Sequence, residues 1–100
     1  SNEFLSTTSI NSFELLKGAI RSQKRDSLEA HILFLSHLKV LNFDFAASQK
    51  TAQIFEDLRS RGEMVDPLDL MIASIVIVNN ETLLTGNIKH FNRISGLKLI

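Results

Sequence analysis

Three side chains that could share one chemistry are spread along the chain. They are Glu14 in "SFELLKGA", Asp69 in "DPLDLMIAS" and Asn87 in "LLTGNIKH". Carboxylates and amide carbonyls are hard oxygen ligands. They suit Mg²⁺ or Mn²⁺ and compete poorly for zinc where histidine and cysteine are lacking. Magnesium takes one or two carboxylates and keeps several waters, and one of those waters can become the nucleophile in phosphodiester cleavage while the cation offsets the developing negative charge. Each residue also has an ordinary use. Glu14 follows Asn11 by three residues and could complete a capping box. Asp69 falls in the first turn of a helix, where an acid gains about 0.3–1 kcal/mol from the macrodipole. Asn87 suits a turn or a cap. Among the histidines, His31 and His37 sit in a helical stretch as surface or satisfied core residues, whereas His90 lies in a basic turn where it could meet phosphate. No GxSxG, P-loop, HExxH or GxGxxG pattern occurs, which removes the commoner enzyme templates.

These residues need elements to carry them. "FLSTTSI" is β-branched and turn-like over Ser6–Ile10, which predicts a short strand feeding a helix. In "NSFELLKGAIRS", Asn11 or Ser12 is the expected cap, with Phe13, Leu16 and Ile20 on one face and Gly18 as an interruption. "DSLEAHILFLSHL" predicts a second helix capped by Asp26 or Ser27, with Leu28, Ile32, Leu35 and Leu38 inward. "VLNFDF" alternates with the period of a half-buried strand. "AASQKTAQIFEDLRSRG" predicts a helix with Ala47, Ala52, Phe55 and Leu58 inward and Gly62 as its stop. Pro67 opens the next helix, which runs to about Val78. A strand at Thr82–Thr85, a short helical turn in "IKHFNRISG" and a terminal strand in "LKLI" complete the order. Helices alternating with short strands predict an α/β fold with a mainly parallel sheet, whose strand ends gather polar residues in one crevice.

Composition sets the outer limits. One hundred residues make a single small domain, and 44% apolar with 22% charged residues is the balance of a globular protein. The absence of cysteine excludes disulfides and thiolate metal sites and favours a reducing, cytoplasmic setting. The apolar run Leu70–Val78, broken only by Ser74, is too short to span a bilayer. The net charge of zero is unevenly spread. Lys17, Arg21, Lys24 and Arg25 cluster early, and Lys89, His90, Arg93 and Lys98 cluster late. Asp44, Glu56, Asp57, Glu63, Asp66 and Asp69 make the middle acidic. Such a pattern could bind a polyanion at its flanks and a cation at its centre, although charged faces are most often simply solvated.

The stretches "TTSINSFELLKGAIRS", "LNFDFAASQKTAQIFEDLRSRGEMVDPLDLMIAS" and "TLLTGNIKHFNRISGLKLI" arrive in an order that resembles the PIN-domain ribonucleases of the VapC toxin family. The combination of D-L-M-I-A, T-x-N-x-x-H-F-x-R-I and G-L covers nearly the whole chain. The resemblance implies a PIN-like three-layer fold, a mainly parallel sheet flanked by helices, and acids gathered at one sheet edge around Mg²⁺ or Mn²⁺. Under it, Glu14 matches the acid on the helix after the family's second strand, and Asp69 matches the acid opening the later helix. Asn87 matches an Asp or Asn position near the metal, beside Thr85. The implied activity is endoribonucleolytic, with RNA contacts at Arg21, Thr85, His90 and Arg93. The implied partners are a cognate antitoxin and a second copy of the chain, and no membrane.

One departure stands beside that match. Family members begin with an apolar strand ending in an Asp-Thr-Asn-like motif, central in the sheet and supplying another metal-binding aspartate, whereas this chain begins "SNEFLSTTS". The single PIN-like domain expected over residues 1–100 is thus expected to be N-terminally incomplete, with its first strand missing. Uncovered strand edges and a lost carboxylate would leave this piece a poor nuclease until another copy or segment fills the gap. The competing function is a non-catalytic module for dimerisation or antitoxin binding, using Leu15, Leu16, Ile20, Leu35 and Leu38. A DNA-binding domain has less support, because no compact basic recognition helix stands out.

Overall fold

The computed structural model describes residues 5–83 and 88–99, and the chain falls into two compact units, residues 1–42 and 43–100. The first unit is built as strand, two helices, strand. Its elements are β1 (Ser6–Thr8), α1 (Ser9–Arg21), α2 (Arg25–Ser36) and β2 (Lys39–Leu41). The strands pair in parallel, with Ser6 opposite Lys39, Thr7 opposite Val40 and Thr8 opposite Leu41. A parallel pair needs a long crossover, and α1 and α2 supply it. Pairing fixes Thr8 as the last strand residue, and its hydroxyl then caps α1 by accepting from Asn11 N at 3.0 Å. The expected caps Asn11 and Ser12 therefore lie inside the helix, which opens at Ser9. α2 likewise opens before its expected caps. Gln23 turns the chain at a φ of 59°, Lys24 precedes the helix without a side-chain cap, and Asp26 lies in the first turn.

The second unit carries the apolar core. It contains α3 (Phe45–Ser60), α4 (Pro67–Val78), β3 (Thr82–Leu83), α5 (Ile88–Phe91) and β4 (Lys98–Leu99). β3 and β4 pair in parallel, Thr82 with Lys98 and Leu83 with Leu99. Ile54 and Leu58 of α3 and Leu70 and Ala73 of α4 pack with Val65, Phe91 and Ile94 into one buried cluster, flanked by Ile77, Leu83, Leu97 and Leu99. The inward face of α3 is thus Ala47, Ile54 and Leu58, while the expected Ala52 and Phe55 are exposed. "VLNFDF" does not continue as a strand. β2 ends at Leu41, because β1 offers it only three partners, and Asp44 caps α3 by accepting from Ala47 N at 2.9 Å.

Both long helices of this unit end by the same device. At the end of α3, Gly62 takes a φ of 73°, its N–H meets Arg59 O at 3.0 Å, and Glu63 N meets Leu58 O at 2.8 Å. At the end of α4, Asn80 takes the left-handed place at a φ of 54°, bonding Ile77 O, and Glu81 N meets Val76 O at 3.0 Å. These paired bonds satisfy carbonyls that a helix end otherwise leaves without donors. α4 is apolar nearly all round, with Leu70, Ile72, Ala73, Ser74, Ile75 and Val76 buried. The buried Ser74 hydroxyl is satisfied by Leu70 O at 2.8 Å.

Candidate active site

Glu14 sits on α1, in the second turn counted from the Thr8 cap, and is exposed. The capping-box explanation of this residue does not hold, since Thr8 caps the helix and the third helical position belongs to Asn11. Among the described residues Glu14 makes no ion pair. One turn further on, at Gly18, nothing lies within 4 Å of where a Cβ would stand, so the helix surface beside Glu14 is open. Two turns on comes Arg21, on the same face by the 3.6-residue period and about 10 Å along the axis. It is exposed and shares with Phe13, Leu16, Lys17, Ile20 and Gln23 a groove of about 550 Å³. Lys17 Nζ stands 5.2 Å from the Phe13 ring centroid, a cation–π distance.

Asp69 sits on α4, half-buried, in the first helical turn. Two carboxylates crowd that entrance, and the structure separates their work. Asp66 is the cap, with Oδ1 accepting from Leu68 N at 2.8 Å and its carbonyl taking Leu70 N at 3.1 Å. Pro67 occupies the first helical position, where its missing N–H costs nothing. Asp69 is therefore not the cap. The burial that comes with this position limits how far the carboxylate can swing.

Glu14 belongs to the first unit and Asp69 to the second. Asn87 and Thr85 lie outside the described residues, as does the side chain of His90. Arg93 is half-buried, with Nη2 donating to Met64 O at 3.1 Å. Among the described residues no three His, Cys, Asp or Glu side chains gather as a metal cluster. The donors present, two carboxylates and no thiol, still fit Mg²⁺ or Mn²⁺, which accept one or two carboxylates and complete their shells with water. No described helix is long and apolar enough to cross a membrane.

The sequence profile of the PIN domain matches residues 2–97. The chain belongs to the PIN-domain family. Within that family it is VapC-like. It is 33% identical over 99 residues to ribonuclease VapC2 of Rickettsia felis, covering 98% of this chain and 74% of that protein. It is 36% identical over 92 residues to the tRNA(fMet)-specific endonuclease VapC of Shigella flexneri, covering 91% and 70% respectively. The structure of VapBC-1 from nontypeable Haemophilus influenzae superposes with a TM-score of 0.92 at 30% identity, covering all of this chain and 75% of that one. The expected α/β PIN fold with parallel strands is thus the fold of this PIN-domain chain. Sequence reasoning overlooked the capping roles of Thr8, Asp44 and Asp66 and the polar partners of Arg61 and Arg93. The dipeptide Asp66-Pro67 was a readable signal for the cap, whereas nothing local marks the arginine pair.

Proposed function

We propose that this PIN-domain protein is a toxin-type endoribonuclease acting in the cytoplasm, and that Glu14 and Asp69, with Asn87, hold a Mg²⁺ or Mn²⁺ ion. The observation that carries this reading is the head of α4, where Asp66 caps the helix and a second carboxylate, Asp69, stands in the first turn. Glu14 is not needed to cap α1, because Thr8 does so. When bound, the ion would supply positive charge against a phosphodiester as negative charge develops on its oxygens. The protein's own part is to hold Asp69 in the first turn of α4 and to present Glu14 on an open helix face. Arg21, on that same face, attracts the RNA backbone, and this attraction weakens as salt rises. The relatives named ribonuclease and tRNA(fMet)-specific endonuclease support RNA as the substrate class.

The partner proposed is an antitoxin, supported by the VapBC-1 neighbour, with a second copy of the chain as a further partner. The apolar face of α1 and α2 is the surface it would cover. Ile20 is 62% exposed, and so is Leu33, with Phe13, Ile32 and Phe34 also open. Leu15, Leu16, Leu35 and Leu38, expected to contribute, are half-buried and offer less. The same face supports the second reading, a module that binds without cutting.

Cleavage of RNA in the presence of Mg²⁺ or Mn²⁺ and after chelation separates the two. The expected result is metal-dependent cleavage that falls at least about a hundredfold in Asp69→Asn and in Glu14→Gln. Unchanged cleavage by Asp69→Asn ends the nuclease assignment.

A further inference from the structure

One polar network in the second unit is used neither by a helix cap nor by the candidate metal donors. Arg61, which follows α3, places Nη2 2.9 Å from Asp57 Oδ2 and reaches Arg93 O at 3.3 Å. Its Nη1 lies 3.0 Å from Glu63 Oε2, close enough for an ion pair but not aligned as a hydrogen bond. Arg93 answers in the other direction by donating from Nη2 to Met64 O at 3.1 Å. The turn between α3 and α4 and the turn after α5 are thus tied twice, each arginine binding a carbonyl on the opposite turn. Two buried atoms in this network, Arg93 Nε and Glu63 Oε2, find no hydrogen-bond partner among the described residues. Glu63 Oε2 keeps the Arg61 ion pair, and the network's other bonds hold backbone carbonyls.

What they fix follows from the chain. Met64 is not held by its side chain, which is 70% exposed, so its carbonyl is the handle. The next residues are Val65, buried in the core, and Asp66, the cap of α4. On the other side, Phe91 and Ile94 bury in the same core and hold the turn that carries Arg93. A shift at Met64 therefore passes through a short rigid segment to the first turn of α4, where Asp69 sits. We propose that Arg93 is a positioning residue: through Met64 O, and with Arg61 on its own carbonyl, it sets where the head of α4 and the Asp69 carboxylate stand. The role rests on the nuclease reading above, and it replaces direct RNA contact as the task of Arg93.

The test uses Arg93→Met and Arg93→Lys in the protein, with Arg61→Met as a second route to the same tether. The Lys variant keeps the charge and one donor but not the planar fork, so it should rescue in part. Amide exchange is the readout that ordinary destabilisation would not move selectively. Arg93→Met should speed exchange of the Leu68 and Leu70 amides by about tenfold or more relative to the amides of residues 74–77. RNA cleavage should lose about tenfold in kcat with KM nearly unchanged, and Arg61→Met should act in the same direction more weakly. Uniform or absent exchange changes overturn the proposal. So does a raised KM with intact kcat and a salt slope smaller by about one, the signature of a lost phosphate contact. Unchanged cleavage by Asp69→Asn would sink the nuclease reading instead, and exchange at the head of α4 would then decide the tether by itself.

Discussion

The helix pairs α1–α2 and α3–α4 treat their apolar residues in opposite ways. In α3–α4, Leu58 is 2% exposed, Leu70 is 1% exposed, and both join a core that also takes Val65, Phe91 and Ile94. In α1–α2 the buried residues reduce to Ala19, while Phe13, Ile20, Ile32, Leu33 and Phe34 are each more than half exposed. The ends differ in the same sense. α3 and α4 have aspartate caps at their starts and left-handed Gly62 and Asn80 at their ends, whereas α2 starts without a side-chain cap. One pair is closed by its own sequence. The other leaves its apolar surface open.

The contrast can be broken most forcefully in the core. Leu58→Ala should lower unfolding free energy by about 2–5 kcal/mol, because it opens a cavity among residues that cannot collapse. Leu33→Ala should cost less than about 0.5 kcal/mol in the free protein. Denaturant titration measures both, and equal losses would remove the distinction. Partner binding should sharpen it. Leu33→Asp is expected to weaken association with an antitoxin or a second copy by at least about tenfold, with folding stability intact, as read by calorimetry or light scattering. Next come the helix ends. Asp66→Ala should cost about 0.5–2 kcal/mol, since Leu68 N loses its acceptor. Gly62→Ala should cost about 1 kcal/mol from the positive φ alone, and thermal melts would show either.

The smallest effect concerns an exposed pair on α3. Hydrogen bonding and the charge of Arg59 hold the Glu56 carboxyl below its ordinary range, and Glu56 raises Arg59 in return. A carboxyl lowered on folding adds stability above its unfolded value and loses it as pH falls through the folded one. Glu56→Gln should therefore lower stability slightly at neutral pH, leave the acid end almost unchanged, and so flatten the acid limb of the stability curve. Such surface pairs contribute little.

How much of this was legible depended on where the deciding contact lay. The start of α4 was readable because Asp66, Pro67 and Asp69 carry their own backbone logic. Gly62 was readable for the same reason. The start of α1 was not, because "TTSINS" offers several capping side chains and only the pairing of Thr8 with Leu41 selects one. β2 was overdrawn because its length is set by a partner strand remote in sequence. Period alone placed Phe13 and Ile20 inward, yet it cannot tell a face that these residues cover from one that they leave open. Of the site, Glu14 and Asp69 were legible as candidates, but the caps of their helices, Thr8 and Asp66, were not both so. The tie between Arg61 and Arg93 spans thirty-two residues and left no local trace.

The most direct trial is Mn²⁺ binding followed by titration calorimetry in Asp66→Ala and Asp69→Asn, each paired with a thermal melt. The proposed roles predict that Asp66→Ala melts earlier and binds like the unaltered protein, while Asp69→Asn binds at least about tenfold more weakly. Full-strength binding by Asp69→Asn would contradict it.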